Sequence, residues 1–247
     1  MEKIDIRGLK FDNVDRDEAR SLASAALMSD KTTTVFTPNA EIAYNAGKDE
    51  TFFEILSSAD ILLPDGAGII KASKILGTPL KEKVAGVDFG IDAAALCAER
   101  GKSLFLLGGM PGVADAAAEN LRTRFPNLKI AGTNDGYFSK SGDENDAVIS
   151  KINESGADAL FVCIGSPAQE KWAVENKAAL CGVRLVCCLG GSIDVYAGVS
   201  KRAPKLFIKT NTEWLYRLLK EPKRIGRMMS LPKYIIGIKK HERSIGK

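Results

Sequence analysis

The chain has 247 residues, 45% hydrophobic and 27% charged, which suffices for one compact folded core. Its five cysteines include no Cys-x-x-Cys pair and its single histidine, His241, lies near the C-terminus, which excludes Ser-His-Asp, Cys-His and histidine-rich metal chemistry. An apolar signal segment and any run of roughly 18 apolar residues are both missing, so we predict a reduced protein that is made and kept in the cytoplasm.

The net charge of +4 conceals two parts of opposite charge. Residues 1–200 carry 21 Lys and Arg against 28 Asp and Glu, a net of −7, whereas residues 201–247 carry 14 against 3, a net of +11. Apolar residues such as Trp214 and Tyr234 are interleaved with the basic ones, which favours an anionic membrane surface over nucleic acid as the partner. We therefore predict an α/β domain at 1–200 and a basic amphipathic tail at 201–247.

Short apolar runs alternate with helical patterns along the whole chain. The predicted strands are 33–37, 61–63, 103–107, 129–131, 159–164 and 184–189. The predicted helices are 16–29, 39–57, 66–76, 88–100, 112–124, 143–154, 168–179 and 205–220. This alternation predicts an α/β fold, a mostly parallel Rossmann-like sheet with helices on both faces, followed by a basic amphipathic C-terminal helical appendage.

The loops after the predicted strands combine glycine or proline with polar residues. They are 37–41, 64–68, 108–112, 132–137, 165–170 and 190–194. Open parallel sheets bind ligands beyond the carboxyl ends of their strands, and glycine lets backbone N–H groups approach a phosphate, so we predict a nucleotide diphosphate as the ligand. The segment 108–112 lacks the G-x-G-x-x-G spacing, which favours a tight turn and disfavours a dinucleotide-dependent oxidoreductase.

Asp65 is the candidate general base. With His241 in the tail the base must be a carboxylate, and Asp65 follows an apolar strand where desolvation would raise its pKa. Capping of the helix predicted at 66–76 explains this aspartate equally well. The triplet at 15–17 has the Asp-x-Asp form of some metal sites, but it precedes an amphipathic helix, and we interpret it as a helix cap.

Further polar residues have two interpretations each. Tyr137 either stacks on a nucleotide base or closes a hydrophobic edge, and Asp194 either accepts from a nucleoside or caps a helix. Basic residues of the tail recur at helical spacing and suit either a diphosphate or a solvated basic face. They are Arg217, Lys220, Arg224 and Arg227.

Seven motifs in order resemble the WecG/TagA/CpsF glycosyltransferases. They are Thr-Pro-Asn-Ala-Glu-Ile at 37–42, Leu-Pro-Asp-Gly-x-Gly at 63–68, Val-Ala-Gly-x-Asp at 84–88, Gly-Tyr-Phe at 136–138, Gly-x-Pro-x-Gln-Glu at 165–170, Gly-Gly-Ser-x-Asp at 190–194, and Arg-Ala-Pro at 202–204 with Glu-Trp-Leu-Tyr-Arg-Leu at 213–218. The resemblance runs nearly end to end.

This resemblance implies a metal-independent, inverting transfer without a cofactor, from UDP-N-acetylmannosamine to the 4-hydroxyl of undecaprenyl-diphosphate-linked N-acetylglucosamine, as in wall teichoic acid synthesis. It implies an enzyme that lies peripherally on the inner face of the cell membrane. The implied base is Asp65. The residues implied to position sugar hydroxyls are Thr37, Asn39 and Gln169. Those implied to bind UDP are Tyr137, Asp194, Gly191, Arg217, Arg224 and Arg227.

Two departures from the family pattern leave the donor sugar open. Ala168 stands where relatives carry a lysine, and residues 209–212 differ from the usual sequence before Glu213. One alternative is therefore transfer of another UDP-sugar, such as UDP-N-acetylmannosaminuronic acid, in a different polysaccharide pathway. Another is a non-catalytic nucleotide-binding membrane module. Exposed apolar residues of the tail would also permit a homo-oligomer.

Overall fold

The computed structural model describes residues 2–210, 212–220, 226 and 229–245, which form one parallel sheet between two layers of helices. An antiparallel hairpin of β1 (Lys3–Ile6) and β2 (Leu9–Asp12) precedes it. The sheet strands are β3 (Thr33–Phe36), β4 (Ile61–Leu62), β5 (Ser103–Gly108), β6 (Lys129–Asn134), β7 (Ala159–Cys163) and β8 (Leu185–Cys188). The helices before β8 are α1 (Arg16–Leu27), α2 (Ala40–Ala46), α3 (Glu50–Ser57), α4 (Ala67–Ile75), α5 (Gly86–Arg100), α6 (Val113–Arg124), α7 (Asp143–Glu154) and α8 (Ala168–Asn176), with a 3₁₀ turn at Lys177–Ala179. Those after β8 are α9 (Ser192–Tyr196), α10 (Lys205–Lys209), α11 (Glu213–Lys220) and α12 (Ser230–Ile245).

The six sheet strands run in the order β4-β3-β8-β7-β5-β6, and every neighbouring pair is parallel. Along β7, Ala159 and Phe161 pack into one hydrophobic cluster, whereas Leu160 and Val162 pack into the other. Because successive side chains point to opposite faces, an unbroken apolar strand needs cover on both sides. The predicted α/β fold with helices on both faces is confirmed.

The N-terminal hairpin is absent from the predicted elements, although its residues alternate with period two. The inward-facing side chains of the hairpin are buried, among them Ile4, Ile6 and Phe11. The chain turns between the two strands at Arg7 and Gly8, whose φ angles are 56° and 91°. Helix capping explains the acidic triplet at 15–17. Asp15 forms a capping box with Glu18 at the start of α1, which confirms the cap interpretation of this triplet.

Two long helical patterns are each divided in the structure. The pattern at 39–57 forms α2 and α3, because Asp49 accepts the N–H of Phe52 at 3.0 Å and starts a new helix. The pattern at 205–220 forms α10 and α11. Helix α10 ends at Lys209 and α11 begins at Glu213, on either side of the departure from the family sequence.

Part of the basic tail packs on the sheet domain. Helix α12 lies against α2 and α4 and buries Tyr234 and Ile238. Other large apolar side chains of this region are exposed, namely Leu206, Trp214, Leu219, Met229 and Ile236. None of the helices within the described ranges combines the length and the apolar character needed to cross a bilayer. The separation into parts at 1–200 and 201–247, with an appendage, stays a prediction.

A buried polar network fixes α8 to α7. The indole N–H of Trp172 donates to Oδ1 of Asn145 at 2.7 Å, and Nδ2 of Asn145 donates to Oδ1 of Asn176 at 3.1 Å. All three side chains are buried. Since buried donors need partners, this network sets the position of α8, whose first residues follow β7.

We expect Asn145→Ala to lower the free energy of unfolding by about 1–3 kcal/mol, because it leaves the buried Trp172 indole N–H without a partner. Urea denaturation measures this change. Ser150→Ala, an exposed position on the same helix, is the control and should leave the midpoint nearly unchanged. Equal midpoints for the two variants would contradict a stabilising role for the network.

Candidate active site

A cavity of about 430 Å³ opens at the carboxyl ends of β3, β4, β7 and β8. Each of these strands contributes the residues that follow it, as expected for an open parallel sheet. Five predicted site residues line the cavity together, namely Thr37, Asn39, Asp65, Gln169 and Gly191. The fold therefore joins residues that are up to 154 positions apart in the sequence.

Asp65 contacts the first turn of α5. Its Oδ2 accepts the N–H of Gly86 at 3.2 Å, and the side chain is half-buried. A Cβ built on Gly86 would lie 2.7 Å from Oγ1 of Thr37, so glycine permits this close approach. The sequence also suggested Asp65 as the cap of the following helix α4, but the N-cap residue of α4 is Gly66, with no side-chain cap hydrogen bond. The contact of Asp65 with α5 was not predicted.

Thr37 and Asn39 have structural partners at the cavity wall. The hydroxyl of Thr37 donates to the carbonyl oxygen of Cys188 at 3.3 Å, which joins the ends of β3 and β8. Oδ1 of Asn39 accepts the N–H groups of Glu41 and Ile42 at 2.9 and 3.1 Å and so caps α2. A ligand in the cavity would therefore contact Asn39 through its Nδ2 group.

Gln169 lies between the ends of β7 and β8 and is 3% exposed. Its Oε1 accepts the N–H of Gly190 at 2.8 Å, while its Nε2 donates to Oε1 of Glu170 at 2.8 Å. These two bonds fix the orientation of the amide, because exchanging its oxygen and nitrogen would break both. The second Nε2 hydrogen remains to contact a ligand.

Glu170 is a buried acid that supports this amide. The side chain is 1% exposed, and its Oε2 has no hydrogen-bond partner among the described residues. Burial raises the pKa of Glu170, and the hydrogen bond from Gln169 offsets only part of that shift. The protonated, neutral form is therefore favoured to a higher pH than in an exposed glutamate.

Ion pairs border the cavity where α11 begins. Arg202 binds both carboxylate oxygens of Asp88, and its Nε lies 3.8 Å from Oε1 of Glu213. Lys83 donates to Oε2 of Glu213 at 2.8 Å. Hydrogen bonding to Asp88 raises the pKa of Arg202. Because Glu213 lines the cavity, these pairs fix the first turn of α11 at its rim.

Tyr137 lies in the loop after β6 and is 71% exposed. It does not line the cavity that the described residues form. The preceding Gly136 donates its N–H to the carbonyl of Gly109 at 2.9 Å, and a Cβ on Gly136 would lie 3.2 Å from Ile164. The Tyr137 loop therefore abuts the end of β7, one residue before Gly165, which does line the cavity.

The remaining predicted UDP contacts lie around this edge or in the tail. Asp194 is in the first turn of α9, and its Oδ2 is 3.7 Å from the position of a Cβ on Gly191. Arg217 lies in α11. Arg224 and Arg227 fall outside the described residues. The roles assigned to these four residues stay predictions.

Three residues in or beside the site were given no role from the sequence, namely Lys83, Glu170 and Glu213. Glu170 and Glu213 belong to motifs that carry the family resemblance, and those motifs could have indicated that both lie near the site. Lys83 had none, because its partner Glu213 is 130 residues away. Within the described ranges, no three His, Cys, Asp or Glu side chains are grouped as a metal site requires.

The buried acid gives a prediction for stability. The ordinary glutamate pKa is about 4.3, and the pKa of Glu170 is raised in the folded state. Above about pH 4.3 the folded protein therefore binds more protons than the unfolded chain. The free energy of unfolding consequently falls as the pH rises toward and through the raised folded pKa. Glu170→Gln removes the ionisation but keeps an acceptor for Gln169. We therefore expect its stability relative to wild type to increase between about pH 4 and about pH 8 in urea denaturation.

Glu175→Gln, an exposed position on the same helix, is the matched control and should show no such trend. If the difference between Glu170→Gln and wild type does not change with pH, Glu170 has no raised pKa in the folded protein.

Comparison with known proteins places the chain in a family. The family profile described as "Glycosyl transferase WecG/TagA/CpsF family" matches residues 4–245. An N-acetylglucosaminyldiphosphoundecaprenol N-acetyl-beta-D-mannosaminyltransferase of Bacillus spizizenii is 37% identical over 226 residues, 92% of this chain and 86% of the relative. A relative of the same name from Staphylococcus aureus is 33% identical over 247 residues, 99% of this chain and 95% of the relative. The chain therefore belongs to the WecG/TagA/CpsF family of glycosyltransferases.

Proposed function

We propose that this chain transfers N-acetylmannosamine from UDP-N-acetylmannosamine to the 4-hydroxyl of undecaprenyl-diphosphate-linked N-acetylglucosamine, the step that builds the linkage unit of wall teichoic acid. The names of the relatives from Bacillus and Staphylococcus support this acceptor and this sugar. The observation that carries the proposal is the cavity in which Asp65 meets Thr37, Asn39 and Gln169.

Asp65 is the proposed base of an inverting displacement. It accepts the proton of the acceptor 4-hydroxyl while that oxygen forms a bond to the anomeric carbon and the bond to UDP breaks. The N–H of Gly86 donates to one carboxylate oxygen and so orients this side chain at the cavity wall. The hydroxyl of Thr37 and the amide groups of Asn39 and Gln169 position sugar hydroxyls around it.

The donor nucleotide is proposed to extend from Gly191 toward the edge of the cavity at β7. Gly190 and Gly191 permit close approach of the diphosphate, and the Tyr137 loop abuts this edge. Asp194 then accepts from the nucleoside and Tyr137 stacks on the uracil. Arg217, Arg224 and Arg227 neutralise the departing diphosphate, a role that guanidinium groups perform without a metal.

The tail is proposed to attach the enzyme to the inner membrane surface. Its exposed apolar side chains, such as Trp214 and Ile236, lie among the 14 Lys and Arg of residues 201–247. Such a combination binds anionic bilayers through apolar burial and charge. The acceptor carries a polyprenyl chain that stays in the bilayer, so attachment brings the cavity to its substrate.

The proposed reaction is tested by incubating the purified chain with UDP-N-acetylmannosamine and a short-chain lipid-diphosphate N-acetylglucosamine in the presence of EDTA. We expect UDP release and a disaccharide product with inverted anomeric configuration by NMR. Other UDP-sugars, including UDP-N-acetylmannosaminuronic acid, serve as competing donors. Preference for one of them would replace the proposed donor, and loss of turnover in EDTA that magnesium restores would contradict a metal-independent reaction.

We expect Asp65→Asn to lower turnover by roughly 10²-fold or more, because it removes the base but keeps an oxygen for the Gly86 N–H. UDP affinity and melting temperature should stay near wild type. Glu41→Gln, which changes another carboxylate of the cavity lining, is measured beside it. Nearly full turnover in Asp65→Asn with a large loss in Glu41→Gln would assign the base to Glu41. Asp88 is a poorer alternative, since Arg202 binds both of its oxygens.

A further inference from the structure

A second cavity continues from the proposed active site along α2. It has a volume of about 270 Å³, lies between α2 and α12, and shares Glu41 and Asn45 with the first cavity. Lys48 and Lys233 line it from opposite helical segments. The Lys48 ammonium lies 4.1 Å from the ring centroid of Tyr44, a cation–π contact that holds it at the wall.

A third, smaller cavity follows the second. Its volume is about 90 Å³, and it shares Tyr44 with the cationic cavity. Its walls are mostly apolar and come from the N-terminal hairpin, α2, α3 and α12. They include Ile6, Leu9, Ala43, Phe53 and Tyr234, and the charged Arg7 also lines the cavity. The hydroxyl of Tyr234 is buried and has no hydrogen-bond partner within the described ranges.

The chemistry of the three cavities changes in a defined order. The first is polar and contains Asp65, the second contains two lysines, and the third is mostly apolar, with Arg7 and one unsatisfied hydroxyl in its lining. A lipid-diphosphate-linked sugar has the same order of groups, a sugar, then two phosphates, then a hydrocarbon chain. Lysine ammonium groups bind phosphate oxygens through charge-assisted hydrogen bonds, and apolar walls bind hydrocarbon.

We propose that this series of cavities is the acceptor site, with the diphosphate between Lys48 and Lys233 and the first prenyl unit against the apolar walls around Tyr234. The proposal rests on the proposed function, which supplies the acceptor class. Glu41 borders the sugar end, where a carboxylate can accept from a sugar hydroxyl and repels phosphate. The Tyr234 hydroxyl donates to the oxygen that joins phosphate to the prenyl chain.

The nucleoside end of the donor is predicted away from this site. Its contacts Tyr137 and Asp194 follow β6 and β8, whereas α2 follows β3, toward the other edge of the sheet. Asp65 follows β4 on the α2 side. An inverting displacement requires the base on the acceptor side, opposite the departing UDP, and this arrangement meets that requirement.

The test uses the full-length double variant Lys48→Gln, Lys233→Gln, with a geranyl-diphosphate-linked N-acetylglucosamine as acceptor. We expect the acceptor KM to rise about 10-fold or more, from the loss of two charge-assisted contacts. The donor KM and the inhibition constant of UDP should each change less than about 2-fold. Wild-type KM should also be lower for the geranyl acceptor than for a methyl-diphosphate acceptor, and Ala43→Leu, which fills the apolar cavity, should remove that difference.

The matched control is Lys31→Gln, Lys129→Gln, which removes the same charge from exposed positions at the opposite end of the sheet. An unchanged acceptor KM in the Lys48, Lys233 variant overturns the proposal. A parallel rise in the UDP inhibition constant assigns the lysines to the donor instead. Weaker binding to phosphatidylglycerol vesicles with an unchanged acceptor KM assigns them to the membrane.

Calorimetric binding of the acceptor without donor separates this inference from the proposed function. If wild type binds the geranyl acceptor and the double variant binds it about 10-fold more weakly, the subsite stands whichever sugar is transferred. If both bind it equally, the subsite is wrong even where transfer is observed. If wild type does not bind it, the acceptor class and the subsite both fail.

Discussion

Hydrogen bonds between the ends of β3, β7 and β8 hold the proposed active site together. In a parallel sheet all loops leave the strands at one edge, but each loop could still turn in its own direction. Thr37 ties β3 to the carbonyl of Cys188, and Gly190 donates to the side chain of Gln169. The buried Glu170 accepts a hydrogen bond from Nε2 of Gln169 and so fixes the position of that amide. The polar walls of the cavity are therefore set by bonds that involve residues just after the central strands.

Much of this could be predicted because the signals are local. An unbroken apolar run of five residues such as β7 indicates a strand covered on both faces, and a glycine or proline after it indicates a loop. Parallel topology then places all such loops at one edge, so Asp65 and Gln169 could be assigned to one site before their distance was known. The division at Asp49 was missed because hydrophobic periodicity continues across a helix cap.

The contacts that were not predicted join residues far apart in the chain. Asp88 and Arg202 are 114 positions apart, and no local pattern indicates that they form a bidentate pair. The same holds for Asp65 and Gly86, where the sequence suggested a cap on the helix that follows. The raised pKa of Glu170 depends on its burial, and a glutamate in the first turn of a helix gives no indication in the sequence that it is buried. Each of these features arises from tertiary packing.

The proposed base restricts where positive charge can lie. A fixed guanidinium beside a carboxylate lowers the pKa of that carboxylate and makes it a poorer base. The diphosphates of donor and acceptor nevertheless need cations, and residues 1–200 have a net charge of −7. Residues 201–247, with a net of +11, supply positive charge from a separate segment. Glu213, paired with Lys83 and Arg202, holds the start of α11 at the rim, so this basic segment begins beside the cavity where the phosphates are proposed to bind.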